Sequence, residues 1–296
     1  MARGEGFHLG EVIEARQVTP SMVRVTLGGR GLAGFASTGK PDERLGVYFP
    51  NPGTREPQRP TVTDGAWEFA DPDDIPEGRS YTVRRARPDR GEIDIDFVVH
   101  EGGVASAWAT RARPGDLVGL SDADGWFAPL PGTSRYLLVA DATGLPAAAR
   151  IIEEAPPGTR VDVIFEVPVS EDEQYLAIPH SSSATWLVGS GLGHAPSRLA
   201  DAVRELGPLP DDTHVWVAAE ASTTRAIRKH LRRDRGLPNA RMTVIGYWRQ
   251  DKEDFQRRYE ARQDDLLRAY STLVESGVQG QDLIEAWDTE LERAGF

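Results

Sequence analysis

Near Gly132 the chain changes its hydrophobic period, and no single repeating architecture accommodates both halves. Upstream, apolar residues alternate over short stretches: Val23 to Leu27 alternates around Arg24 and Thr26, and Ile93 to Val99 around Asp94 and Asp96. A period of two belongs to a strand with one buried face. Turn signals at Pro50-Asn51-Pro52-Gly53, Pro76-Glu77-Gly78 and Pro114-Gly115-Asp116 separate these stretches, which predicts an antiparallel barrel or sandwich. Downstream, Tyr136 to Ala140, Val161 to Val167, Trp186 to Val188 and Val215 to Ala219 are apolar runs suited to strands covered on both faces. Helix candidates with apolar positions three or four apart lie between them, at Pro146 to Glu154, Ala195 to Leu206 and Thr223 to Arg233. Alternating strand and helix is the pattern of a doubly wound α/β domain. The expected fold class is β plus α/β: an N-terminal antiparallel β-barrel over residues 1–131, a doubly wound α/β domain over 132–249, and a helical C-terminal tail over 250–296.

The tail is acidic and polar, yet Phe255, Tyr259, Leu266, Leu267, Tyr270 and Leu273 are spaced to make one apolar stripe. The stripe suits packing on its own domain or a dimer contact, so monomer and homodimer both stay open. A chain of 296 residues, 39% of them apolar, has enough material for two packed domains. The 34 basic residues against 46 acidic ones give a net charge of -12, which argues against general affinity for nucleic acid or a membrane surface. An anionic ligand therefore needs a local basic pocket. With no cysteine, the chain forms no disulfide, no Cys-ligated cluster and no thiolate nucleophile, so redox chemistry requires a borrowed cofactor. No stretch has the length and apolarity of a signal h-region or a bilayer span, and a cytoplasmic protein is expected.

Two segments carry chemistry. In Arg79-Ser80-Tyr81-Thr82-Val83-Arg84, strand geometry sends Arg79 and Tyr81 to one side and Ser80 and Thr82 to the other. A guanidinium takes a pyrophosphate bidentately, an aromatic ring faces a flat ligand, and a hydroxyl reaches a polar ring edge; the plain alternative is a charged edge strand. The second segment, His100-Glu101-Gly102-Gly103-Val104-Ala105-Ser106-Ala107-Trp108, follows an alternating strand and opens a short helix. Its small residues permit close backbone approach, and the helix start would present free N–H groups to a phosphate, helped by the Ser106 hydroxyl. The alternative is a Gly-rich hairpin whose Trp108 fills the core.

Other signals are weaker. Gly189-Ser190-Gly191-Leu192-Gly193-His194 follows an apolar run, but its third glycine is misplaced for a dinucleotide fingerprint and an ordinary strand-to-helix turn is the better reading. The six histidines lack metal-ligand spacing, and neither a Walker loop nor a Gly-x-Ser-x-Gly elbow is present. The basic cluster Arg225, Arg228, Lys229, Arg232 and Arg233 reads as a solvated helix face, with a nucleotide phosphate as the alternative.

The order of these segments resembles that of the siderophore-interacting proteins. The resemblance rests on Thr19-Pro20-Ser21-Met22-Val23-Arg24-Val25 with Leu27, Arg79 to Arg84, His100 to Trp108, Asp141 to Ala147, and Ala219-Glu220-Ala221-Ser222 with Gly246-Tyr247-Trp248-Arg249. It implies a barrel that binds FAD and an α/β domain that serves NADH or NADPH, together reducing ferric siderophores; a separate ferredoxin also stays open as electron donor. Arg79, Ser80, Tyr81 and Thr82 would hold the flavin and its diphosphate, with Val99, His100, Ala105 and Ser106 completing the cradle. Thr143 would lie near the domain junction, Glu220 and Ser222 beside the nicotinamide, and Trp248 over the flavin. Arg84 and Arg249 are the candidate cations for an anionic ferric complex. Val104 stands where the family commonly has proline, Ala142 where it has an acidic residue, and Gly46 where a lysine is frequent. The alternatives are an oxidoreductase acting on another acceptor and a non-catalytic binding protein that has lost FAD.

Overall fold

Val23, Val25 and Leu27 sit directly opposite Phe97, Ile95 and Ile93 on the neighbouring strand, all of them buried. The intervening residues pair on the outer face, where Arg24 donates to Asp96 at 2.6 Å and the Thr26 hydroxyl donates to Asp94 at 2.8 Å. The period-two pattern thus makes an inside and an outside. In the computed structural model, which describes residues 6–63, 66–100, 102–250 and 252–296, these pairs belong to a closed antiparallel barrel. Its strands are β1 (Phe7–Thr19), β2 (Met22–Gly28), β3 (Arg44–Phe49), β6 (Glu77–Arg87), β7 (Glu92–Val98) and β8 (Leu117–Ser121), in the order β1-β2-β7-β6-β3-β8. A separate short pair, β4 (Thr61–Thr63) and β5 (Ala66–Glu68), brings Trp67 against Tyr48 and Phe7, with centroids 5.1 and 5.4 Å apart.

Helix α1 (Val104–Arg111) seals the barrel, with Trp108 packed on Phe49 and Phe97 at 5.4 and 5.6 Å. Burying such a side chain contributes about 1.5–3 kcal/mol or more. Helix α2 (Leu145–Glu154) lies on β6, where Arg150 donates to Glu43 and to the Val83 carbonyl, both at 2.8 Å. The compact unit built on the barrel therefore comprises the chain up to Ala128 together with Leu145–Pro157 and Pro168–Ile178. Sequence pattern alone had assigned α2 to the α/β domain, with one boundary at 131.

The second unit is a parallel sheet of β9 (Arg135–Asp141), β10 (Arg160–Val167), β11 (Ala184–Val188), β12 (Thr213–Glu220) and β13 (Met242–Trp248), in the order β11-β10-β9-β12-β13. Every residue of β12 is buried, as its apolar run requires. Helices α3 (Leu199–Glu205) and α4 (Ala221–Lys229) bury Leu199, Val203 and Ile227 in a core with Val215, Val217 and Val244. Helix α3 starts four residues later than the apolar spacing predicts, after the Gly189 to Pro196 stretch. The tail forms α5 (Lys252–Glu260), α6 (Gln263–Glu275) and α7 (Gly280–Arg293) and packs on its own unit. Asp288 pairs with Arg228, Glu285 with Arg232 at 3.1 Å, and the Phe296 carbonyl accepts from Arg225 at 2.9 Å. The basic cluster, on α4 and the helical turn that follows it, is thus largely a tail-docking face. Among the described residues, no helix is long and apolar enough to cross a membrane.

Candidate functional site

Strand β6 delivers the first expected set. Its pleat turns Tyr81 inward onto Phe97, with centroids 4.4 Å apart, and burial pushes the phenol pKa up, opposed by the Arg79 charge. Thr82 faces the other way and is only 5% exposed, yet among the described residues its buried hydroxyl oxygen has no hydrogen-bond partner. Such an orphan costs free energy until a ligand or water satisfies it. Arg79 is half-exposed and steadied by the Glu77 carboxylate and, at 2.9 Å, by the Gly78 carbonyl; Ser80 is exposed. Tyr48 explains the glycine at 46: a Cβ there would lie 2.9 Å from the Tyr48 ring, and one at Gly78 only 2.5 Å from it. An aromatic ring thus covers the position where the resembled family frequently has a lysine.

The second set forms the turn into α1. The Ser106 hydroxyl accepts the His100 N–H and donates to the His100 carbonyl, each at 2.8 Å. It therefore clamps the turn, and its hydroxyl is engaged by the backbone instead of standing free for a phosphate as anticipated. Glu101 lies outside the described residues. Gly103 begins α1 without a side-chain cap, and a Cβ on it would approach the His100 ring to 2.6 Å. Val99 is half-buried against the core, its N–H bonded to the Ser21 carbonyl at 2.8 Å, while Ala105 is buried and His100 exposed. An uncapped helix start, a glycine permitting close approach, a guanidinium and an orphaned hydroxyl make a donor set suited to a diphosphate and a polar ring edge. The residues present fit FAD.

In the second unit, Thr143, Glu220 and Trp248 converge on a residue not singled out by sequence reasoning, Asp141, at the end of β9. Asp141 is 2% exposed. One carboxylate oxygen accepts the Thr143 N–H at 2.8 Å and the Thr143 hydroxyl at 2.5 Å; the other accepts the Glu220 N–H at 3.0 Å and the Trp248 indole N–H at 2.7 Å. Burial pushes its pKa up, while the bonds from Thr143 and Trp248 work in the opposite direction. Beside it, Gly144 is held so close to β12 that a Cβ would fall 2.5 Å from the Ala218 carbonyl oxygen. Glu220 caps α4 by accepting from the Ser222 and Thr223 N–H groups at 2.6 and 3.1 Å; Ser222 is exposed. An aspartate at a strand end before a Thr-Gly turn was a legible signal for this node.

The two expected substrate cations differ. Arg84 is 6% exposed and bonded through both terminal nitrogens to Glu153, one at 2.9 Å, with Asp96 at 4.0 Å. Glu153 lies at the surface; the desolvation it does suffer would by itself raise its carboxyl, but the Arg84 bonds and charge hold it below the usual range. Arg84 is thus a neutralised structural cation, contrary to its anticipated role in substrate binding. Arg249 is half-buried, its guanidinium 3.8 Å above the Phe255 ring.

The closed antiparallel barrel and the five-stranded parallel sheet are the fold of the ferredoxin reductases. The ferredoxin reductase of carbazole 1,9a-dioxygenase shares the fold at TM-score 0.61 and 15% identity, over 82% of this chain and 70% of that one. The chain belongs to the siderophore-interacting protein family: residues 11–126 match the siderophore-interacting FAD-binding domain and residues 133–251 the siderophore-interacting protein domain. It is 31% identical to the ferric vibriobactin reductase ViuB of Vibrio cholerae, over 82% of this chain and 90% of that protein. It is 27% identical to the NADPH-dependent ferric-chelate reductase of Escherichia coli, over 80% and 91%. A siderophore utilization protein from T. fusca superposes with TM-score 0.74 at 37% identity, over 83% and 94%.

Proposed function

We propose that this chain is an FAD-dependent reductase of ferric siderophores, drawing electrons from NADH or NADPH and releasing Fe(II). The observation that carries the reading is the orphaned, buried Thr82 hydroxyl beside Tyr81 and Arg79, within a barrel that matches an FAD-binding domain. The activities named for the Vibrio and Escherichia relatives support the substrate class. Bound FAD supplies the coupling between a hydride donor, which gives two electrons, and iron, which accepts one. Siderophores present hard oxygen ligands that favour Fe(III), so reduction weakens the complex and frees the metal.

The protein needs no general acid or base for this. Arg79 contributes a charge-assisted contact to the diphosphate, the first N–H groups of α1 add an anion site, Tyr81 offers an aromatic wall, and Thr82 donates to the polar ring edge. Asp141 keeps Thr143 and Trp248 in one arrangement at the C-terminal edge of the parallel sheet, the edge where dinucleotides bind in doubly wound folds. With Arg84 neutralised by Glu153 and Tyr48 over Gly46, the barrel unit offers little positive charge to an anionic ferric complex, and affinity for such complexes is modest and salt-sensitive. A nicotinamide donor and an imported iron complex meet in the cytoplasm, which is where we place the protein.

The test combines an absorption spectrum of the purified protein with capture of Fe(II) by a ferrous chelator, using NADH, NADPH and reduced ferredoxin in turn. A flavin spectrum with Fe(II) release from at least one siderophore supports the proposal. Flavin without release from chemically varied siderophores would replace it with an oxidoreductase acting on another acceptor. Absence of both would leave a binding protein that has lost FAD.

A further inference from the structure

We infer that Asp172 is a positioning residue for the flavin cradle, its buried carboxylate fixing the β1–β2 turn to which the chain entering α1 is tied. The inference rests on the proposal that the barrel unit binds FAD. Thr19-Pro20-Ser21-Met22 carried the resemblance without any role of its own. It makes the turn between β1 and β2, and the segment Pro168–Ile178 of the same unit closes on it. One Asp172 oxygen accepts the Ser21 N–H at 2.8 Å, and the Gln174 amide donates to the Met22 Sδ at 3.4 Å. Within the hairpin, the Gln17 amide donates to the Thr19 and Pro20 carbonyls at 2.6 and 3.3 Å.

Ser21 is held on both sides. Its N–H goes to Asp172, and its carbonyl accepts the Val99 N–H at 2.8 Å. The register of β2 with β7 runs out at Met22 and Val98, and the Ser21–Val99 bond extends it by one step, to the edge of the turn into α1. Val99 leads directly to His100, whose N–H and carbonyl are both bonded to Ser106 in the first turn of α1. A continuous run of bonds thus joins Asp172, through Ser21, Val99 and the Ser106 clamp, to the uncapped helix start proposed to take the diphosphate. Asp172 itself is an expensive residue to bury. It is 2% exposed, and among the described residues it has no basic partner and its second oxygen accepts no hydrogen bond. A neutral side chain would spare the desolvation of that charge, so stability of the barrel does not explain a carboxylate there. Fixing a backbone N–H does, because an ionised acceptor makes a shorter and stronger bond than a neutral one.

The experiment titrates FAD into the full-length protein freed of flavin, and follows amide hydrogen exchange and thermal melts without FAD. Asp172→Ala should weaken FAD about tenfold, the value of one bond to a charged group, at a temperature where the variant is fully folded. Exchange at the Val99 and His100 amides should rise, while Val25 and Ile95 in the barrel core stay protected. A residue that merely stabilised the barrel would lower Tm and raise exchange throughout, with FAD affinity of the folded protein unchanged; that result overturns the inference. Asp172→Asn keeps an acceptor for the Ser21 N–H and should bind FAD to within about threefold of the wild type. An asparagine variant as weak as the alanine one would sink the acceptor role. Should Asp172→Ala fail to fold, Asp172→Glu, which keeps the charge but moves the acceptor, should weaken FAD several-fold, and unchanged affinity there counts equally against the inference. Failure of the wild-type protein to bind FAD overturns the FAD reading together with it.

Discussion

Asp141→Ala removes the acceptor for two donors on each carboxylate oxygen, contributed by Thr143, Glu220 and Trp248. The Glu220 N–H is buried and has no water to turn to, so it carries the full penalty of an unmade bond, about 1–3 kcal/mol. Thr143 and Trp248 are half-buried; water recovers part of their loss, leaving roughly 0.5–1 kcal/mol for each of their bonds. The sum is about 2.5–6 kcal/mol, a large fraction of a domain's total stability. Urea denaturation followed by circular dichroism measures it. Asp141→Asn is the milder control, since its amide nitrogen confronts one pair of donors while its oxygen still accepts from the other. Trp248 emission should shift in both variants, because its indole N–H loses or changes its partner. A folded Asp141→Ala protein destabilised by less than about 1 kcal/mol would refute the reasoning, for it would mean that the four bonds contribute no more than one ordinary bond.

Arg79→Ala should weaken FAD about ten- to a hundredfold, the value of a hydrogen bond to a charged group, with the barrel still folded. Thr82→Val should weaken FAD several-fold while leaving the flavin-free protein as stable or more so, because the orphaned hydroxyl contributes nothing without a ligand; flavin titration and thermal melts separate the two effects. Arg84→Met should destabilise the barrel unit by only about 1 kcal/mol while leaving the KM for a ferric siderophore unchanged, because the pair is buried on the arginine side alone and Glu153 returns to solvent. Truncation after Arg249 should preserve the flavin spectrum but lower Tm, since it strips Asp288 and Glu285 from Arg228 and Arg232; loss of bound flavin would contradict this. His214 is 2% exposed, and burial, aided by Arg241, depresses its pKa to about 4. Its folded form resists the proton that the unfolded form takes, so stability should fall as pH drops from about 6.5 towards 4, by up to about 3 kcal/mol. A urea midpoint flat across that range, or equally steep in His214→Gln, would show that another group governs it.

The two-part architecture was legible from period alone, because one-sided burial in β2 and β7 and two-sided burial in β12 each leave a direct pattern of side-chain polarity. The motif segments were equally plain, since Arg79, Tyr81, Thr82 and the turn before α1 draw their meaning from neighbours within a few residues. What the chain order concealed were partnerships over long separations. Arg84 reads as a free cation until Glu153, 69 positions away, closes on it, and Arg150 draws α2 to the barrel through Glu43 across 107 positions. Asp141 looks like one more acidic residue at a strand end until donors 79 and 107 positions distant converge on it. The basic cluster after Ala221-Ser222 reads as a solvated face in the sequence, whereas in the structure the tail covers it through Asp288, Glu285 and the Phe296 carbonyl. Local spacing determines which face of a strand or helix is apolar, but whether a charge meets solvent, a ligand or a counter-ion depends on which distant segments the packed core brings beside it.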